Sequence, residues 1–172
     1  ALHGLPVAVK DIFGTYDMPT ECGTVFRRKK SASQDSEVVN LLKNAGAIIM
    51  GKTVTAELAY IHPGKTTNPH DYSRTPGGSS GGSAAALSTG MLPLAHGSDT
   101  GGSLRNPATW SGVVGFRPTP GLVGREGRTL NYTHFSVQGP MARNVTDTSM
   151  MMMGLVGNEN RDALSNFVDA SV

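Results

Sequence analysis

The sequence predicts an α/β layered domain with some parallel strand pairing, and three observations carry that reading. An alternating stretch near the N-terminus is followed by residues at helical spacing and then by a short apolar run, in the order strand, helix, strand. A parallel connection needs a crossover of about helix length, which the middle stretch supplies. The 172 residues are enough for one domain with a real core, and no linker or internal repeat divides them.

In the first strand Leu5, Val7 and Val9 alternate with Pro6, Ala8 and Lys10, so the apolar set points one way and Lys10 the other, at the strand's end. Asp35 or Ser36 caps a helix whose apolar positions Val38, Leu41, Leu42 and Ala45 follow i, i+3, i+4, i+7 and which Gly46 ends. Ala47-Ile48-Ile49-Met50 reads as a buried strand. Residues 68–79 carry loop chemistry, rich in Pro, Asn, Asp, Ser and Gly. Residues 82–89 are small and mostly helix-tolerant and close with Gly90, which predicts a short helix packed too tightly for large side chains. Short strands follow at 92–95 and 112–116, separated by the glycine loop 97–102. Asn144 or Thr146 caps a last helix through Leu155, whose four consecutive methionines read as flexible core filler.

A net charge of +2 gives no reason to expect nucleic-acid or membrane attraction, and the basic run Arg27-Arg28-Lys29-Lys30 reads as a solvated loop. No run of about 18 apolar residues is present, and the N-terminus lacks a signal-peptide layout, so the chain reads as cytoplasmic. The single Cys22 excludes an internal disulfide and a multi-cysteine metal site.

Three motifs compete for the chemistry. Residues 46–53, with Gly46, Gly51, Lys52 and Thr53 in place, fit the phosphate-loop expression GxxxxGKS/T and would make the chain a nucleotide binder. The variable positions there are Ala, Ile, Ile and Met, which form the strand itself instead of a loop whose N–H groups could wrap a phosphate. Gly77-Gly78-Ser79-Ser80-Gly81 fits GxSxG, but that elbow is entered from a strand, and Ser73-Arg74-Thr75-Pro76 is none. Its acid–histidine partners would have to include His96 or His134, neither in a recognisable setting. There remain two glycine-serine loops, around Ser79 and Ser103, whose serines lie 24 positions apart (103 − 79), together with Lys10.

These segments resemble the signature of the amidase signature family, which combines a GGSS loop, a G-S/T-D-x-G-G-S-I/L-R loop and an upstream strand ending in Lys. Gly4-Leu5-Pro6-Val7-Ala8-Val9-Lys10-Asp11 is similar to the lysine segment, 46–53 to the strand-GKT segment, 112–119 (GVVGFRPT) to the strand after the nucleophile, and Gly139-Pro140-Met141-Ala142-Arg143 to a later G-P-x-x-R segment. Agreement of several segments in order and spacing is far more specific than any one of them.

The resemblance implies the amidase signature fold, a mixed β-sheet core flanked by helices. It implies a Ser-Ser-Lys arrangement in which Ser103 attacks, Ser79 relays the proton from a cis peptide after Gly78, and Lys10 accepts it. The N–H groups of Thr100, Gly101, Gly102 and Ser103 would form the oxyanion hole, with Asp99 and Arg105 bracing the loop and Ser80 as a structural hydrogen-bonder. Lys10 is a base only when neutral, so burial must lower its pKa, and the neighbouring Asp11 would oppose that if turned inward. No cofactor or metal is implied. The substrate would be a small-molecule amide, with no nucleic acid; a homodimer is left open. Residues 1–172 are expected to be part of a single amidase catalytic domain, incomplete at both ends. Within the family the alternative is the amidase subunit of a glutamyl- or aspartyl-tRNA amidotransferase; Phe116-Arg117-Pro118-Thr119-Pro120 is worded more like a stand-alone amidase.

Overall fold

A computed structural model describes residues 1–125, 133–157 and 162–165. The elements run β1 (Pro6–Lys10), α1 (Glu37–Asn44), β2 (Ile48–Thr53), a 3₁₀ turn (Glu57–Ala59), α2 (Gly81–Ser88), β3 (Leu94–Asp99), α3 (Arg105–Ser111), β4 (Val114–Gly115), β5 (Val137–Ala142) and α4 (Val145–Leu155). The strands form one mixed sheet in the order β2-β1-β3-β5-β4. β1 is parallel to both β2 and β3, whereas β5 is antiparallel to β3 and β4.

Helices cover both faces of the sheet. On one, Val38, Val39 and Leu42 of α1 and Met151 and Leu155 of α4 pack on Val7, Val9, Leu94 and Ala142. On the other, Ala84 and Leu87 of α2 and Ala108 of α3 pack on Ala95 and Met141. Each Val, Leu or Met side chain among them taken fully out of water contributes about 1.5–3 kcal/mol. The α/β reading and the mixed sheet flanked by helices are both present.

Several local expectations change. β1 lies inside the sheet with both faces covered, so Ala8 and Lys10 are as buried as Val7 and Val9. β2 is an edge strand, not a buried one; Ile48 and Met50 stand 52% and 60% exposed. β3 runs through Gly97, Ser98 and Asp99, whose composition suggests a loop. Helix α3 has no sequence signal because Pro107 lies in its first turn, where a missing N–H costs nothing; Gly112 ends it at φ +68°. β5 contains Pro140 opposite His96, and the His96 carbonyl accepts a hydrogen bond from Ser83 Oγ at 3.0 Å. Of the two caps considered for α4, Asn144 is the one used, accepting from the Asp147 N–H. Met151 enters the core as expected, while Met153 is exposed.

The fold brings the two glycine loops together over the C-terminal ends of β1 and β3. Helix α2 starts against the backbone of β2, and the Gly82 N–H donates to the Val54 carbonyl. A Cβ at Gly82 would lie 2.5 Å from Val54 N, so only glycine lets the helix approach this closely.

Candidate active site

Lys10, Ser79 and Ser98 form the buried centre. Lys10 ends β1 with no exposed surface, and its Nζ lies 2.6 Å from Ser79 Oγ and 2.8 Å from Ser98 Oγ. Burial lowers the Lys10 pKa from 10.5 to about 7, and the Asp99 carboxylate opposes that shift. Asp11 does not: its carboxylate turns to Lys52, at 3.2 Å, and to the Glu21 N–H. The Gly78–Ser79 peptide bond is cis.

Ser80 ties the loops together. Its hydroxyl donates to the Ser98 carbonyl and accepts the Ser98 N–H, both at 3.3 Å, and its own N–H donates to the Ser103 carbonyl at 3.2 Å. Ser103 lines the same cleft as Ser79, Ser98 and Thr100, a cavity of about 510 Å³. Among the described residues, no hydrogen bond joins the Ser79 and Ser103 hydroxyls. Apo sites commonly hold such contacts open until substrate is bound.

Asp99 organises the second glycine-serine loop. Fully buried, it accepts from the N–H groups of Gly102 (2.8 Å) and Leu104 (3.2 Å) and pairs with Arg105 and Arg117, each at 2.9 Å. Burial pushes its carboxyl up, but the Arg105 side chain and the two N–H donors outweigh that and hold it near 2. Asp99 is therefore an anion at neutral pH, paired with both Arg105 and Arg117.

Of the four expected oxyanion donors, Gly102 is ruled out. Its N–H points at the Asp99 carboxylate and so is occupied, leaving Thr100, Gly101 and Ser103 as the candidates. Among the described residues, no acceptor is bonded to the N–H of any of these three.

The competing motifs fail on their contacts. Residues 48–53 are the strand β2, and Lys52 Nζ is spent on the Phe13 carbonyl (2.8 Å), Thr20 Oγ1 (2.7 Å) and Asp11. The His96 ring is fully buried edge-on to Phe13, and among the described residues neither of its nitrogens bonds a serine. Burial, with the Lys10 charge adding to it, lowers its pKa to about 3, so it stays neutral. His134 stacks near Phe135. Among the described residues, no group of three or more His, Cys, Asp or Glu is placed to hold a metal ion, and no helix is long and apolar enough to cross a membrane.

Three site residues lie beyond those the sequence pointed to. Ser98 occupies the S/T slot of the second loop pattern, and that restriction to hydroxyl side chains was its signal. Arg117 sits in the FRPT segment. Gln138, beside the G-P-x-x-R segment, lines the cleft and had no signal of its own.

The profile of the family described as Amidase matches residues 1–170. The chain belongs to the amidase signature family. A curated relative from Acidothermus cellulolyticus, the A subunit of its glutamyl-tRNA(Gln) amidotransferase, is 44% identical over 99% of this chain and 35% of its own length. Thus the chain spans about a third of that relative. The crystal structure of the corresponding A subunit from Thermotoga maritima superposes with a TM-score of 0.88 at 39% identity, covering 98% of this chain and 40% of that one. Native peptide amidase from Stenotrophomonas maltophilia gives 0.88 at 33% identity, over 98% and 37%. Family members are thus both amidotransferase subunits and hydrolases of C–N bonds.

Proposed function

We propose that this amidase signature chain, part of one catalytic domain, hydrolyses a carboxylic amide to the acid and ammonia or an amine through an acyl-enzyme at Ser103. The observation that carries the reading is Lys10: a fully buried lysine whose Nζ touches the Ser79 hydroxyl at 2.6 Å and whose pKa is lowered to about 7. A serine hydroxyl needs a base in contact to attack, and a lysine serves only when its amine is neutral.

In the proposed sequence, neutral Lys10 draws the Ser79 proton as Ser79 takes the proton of Ser103. The Ser103 oxygen adds to the amide carbonyl, and the N–H groups of Thr100, Gly101 and Ser103 receive the oxyanion. Fixed backbone donors do this without reorganising, and one such donor is typically worth about 10²–10³-fold in rate. Proton return along the same path to the leaving nitrogen breaks the C–N bond. Water then repeats the cycle on the ester and frees the acid.

A second reading has its own support. The 44% identity to the A subunit of an amidotransferase favours a chain whose amide nitrogen passes to a glutamyl-tRNA in company with other subunits, against the wording of residues 116–120. Both readings use the same serines and lysine. Ammonia release from a simple amide by the full-length protein alone supports the hydrolase, whereas release that depends on tRNA and partner proteins supports the amidotransferase.

The reading of Ser103 is tested by fluorophosphonate labelling of the full-length protein with mass spectrometry. Label on Ser103, absent in Ser103→Ala, is expected. Label on another residue removes Ser103 from its role.

A further inference from the structure

Two hydrogen-bonding groups with unused capacity stand on one face of the sheet beside the lysine. Ser98 on β3 and Gln138 on β5 are direct register partners, so their side chains share one face of the sheet. Ser98 Oγ accepts a hydrogen bond from Lys10 Nζ at 2.8 Å, and among the described residues its own proton has no acceptor. Gln138 is 3% exposed; its Nε2 donates to the Gly124 carbonyl at 2.9 Å, which fixes which end of the amide is oxygen. The Oε1 so defined is buried and, among the described residues, has no partner. Directly opposed residues in an antiparallel pair have Cβ atoms roughly 4.5–5.5 Å apart, a span that a glutamine amide closes. A buried donor and a buried acceptor left apart are each destabilising, so their union is favoured.

We propose that Gln138 is a positioning residue: its Oε1 takes the Ser98 hydroxyl proton and thereby fixes the direction in which the Lys10 amine points. This rests on the proposed role of Lys10 as base. A neutral amine has two N–H donors and a single lone pair, and it can accept the Ser79 proton only if that lone pair faces Ser79. Ser98 has two ways to meet Lys10. As acceptor it draws an N–H toward itself and leaves the lone pair for Ser79; as donor it covers the lone pair and blocks the base. Gln138 removes the second arrangement by holding the Ser98 proton. With that bond made, Gln138 would join two contacts already present, its own to the Gly124 carbonyl and that of Lys10 to Ser98. The charged or titratable groups acting on Lys10 among the described residues are Asp99 and His96, both on β3, and neither is altered in the test.

The test is a double-mutant cycle in the full-length protein, read as the second-order rate of inactivation by a fluorophosphonate across pH. Gln138→Met is expected to lower the high-pH plateau about tenfold, a part of the roughly 10²–10⁴-fold typical of a general base. In a Ser98→Ala background, where no competing donor exists, the same change should alter the rate by less than about twofold, the signature of coupling through Ser98. An equal loss in both backgrounds, or no loss in either, overturns the proposal. Gln138→Glu covers the case in which the methionine variant does not fold. It keeps an acceptor and adds a negative charge near Lys10, so the plateau should stay within about threefold while the acid limb moves to higher pH. A lost plateau with an unmoved limb contradicts the proposal. Ser103→Ala separates the two levels: if it still labels, the serine-lysine reading fails, and if it alone fails to label while Gln138→Met is unaffected, only the role of Gln138 falls.

Discussion

Lys10 and Lys52 lie on neighbouring strands, with Val9 paired to Lys52 and Lys10 to Thr53, yet they meet opposite surroundings. Burial lowers the pKa of both. Around Lys52 stand the Asp11 carboxylate, the Phe13 and Pro19 carbonyls and the hydroxyls of Thr15 and Thr20, acceptors suited to an ammonium. Around Lys10, among the described residues, stand only the hydroxyls of Ser79 and Ser98, which satisfy an amine as readily as a cation, while Asp99 acts on it without direct contact. Burial by itself therefore does not make a base. The acceptors decide which buried lysine stays charged to hold a loop and which can give up its proton.

The largest expected effect breaks this symmetry outright. Lys10→Met should cut amide turnover by about 10³-fold or more, within the range of a lost general base, and leave the melting temperature equal or higher. The sign follows from linkage: the unfolded lysine binds its proton more tightly than the folded one, so between about pH 7 and 10.5 the unfolded chain holds more protons and stability rises with pH across that window. Below it, the buried cation destabilises the fold, and methionine removes that cost. Lys52→Met should do the reverse, with turnover per folded molecule within severalfold of wild type and stability lower by about 1–3 kcal/mol, because the loop carbonyls and Asp11 lose their donor. Calorimetry and steady-state rates on the same preparations check both halves. If both variants lose rate and stability together, the distinction fails.

Asp99→Asn sharpens the comparison from the other side. Removing this anion takes away the charge that, among the described residues, supports protonated Lys10, so the acid limb of kcat/KM should move to lower pH. The plateau should fall as well, since Arg105, Arg117 and the Gly102 N–H lose their common acceptor. A limb that moves to higher pH would contradict the assignment. Smallest of all, Ser80→Ala should cost about 1 kcal/mol in stability, with a severalfold loss of rate and an unshifted pH profile, because Ser80 ties loops together without touching the proton path.

Much of this contrast was legible in the sequence, and the part that was not has a physical reason. The strand ending in Lys10, the two glycine loops and the helix of small residues announce themselves locally, through period-2 alternation, glycine clustering and small-residue composition. The rejection of 46–53 as a phosphate loop also rested on local character and agrees with Lys52 as a structural cation. What local pattern could not carry was the cross-strand company of each residue. Ser98 and Gln138 become partners only through the β3–β5 register, Asp99 meets Arg117 from 18 positions away (117 − 99), and Asp11 faces Lys52 because β1 and β2 are neighbours. The exposure of β2 was misjudged for the same reason, since a strand's place in the sheet order sets its burial and its own composition does not.

The most direct test of a neutral Lys10 is the pH dependence of fluorophosphonate labelling at Ser103 in the full-length protein. A labelling rate that rises with a midpoint near pH 7 and collapses in Lys10→Met, but not in Lys52→Met, is the predicted result. A rate that is flat between about pH 5 and 9, or that rises only near the ordinary lysine value of about 10.4, would mean that Lys10 is not the base.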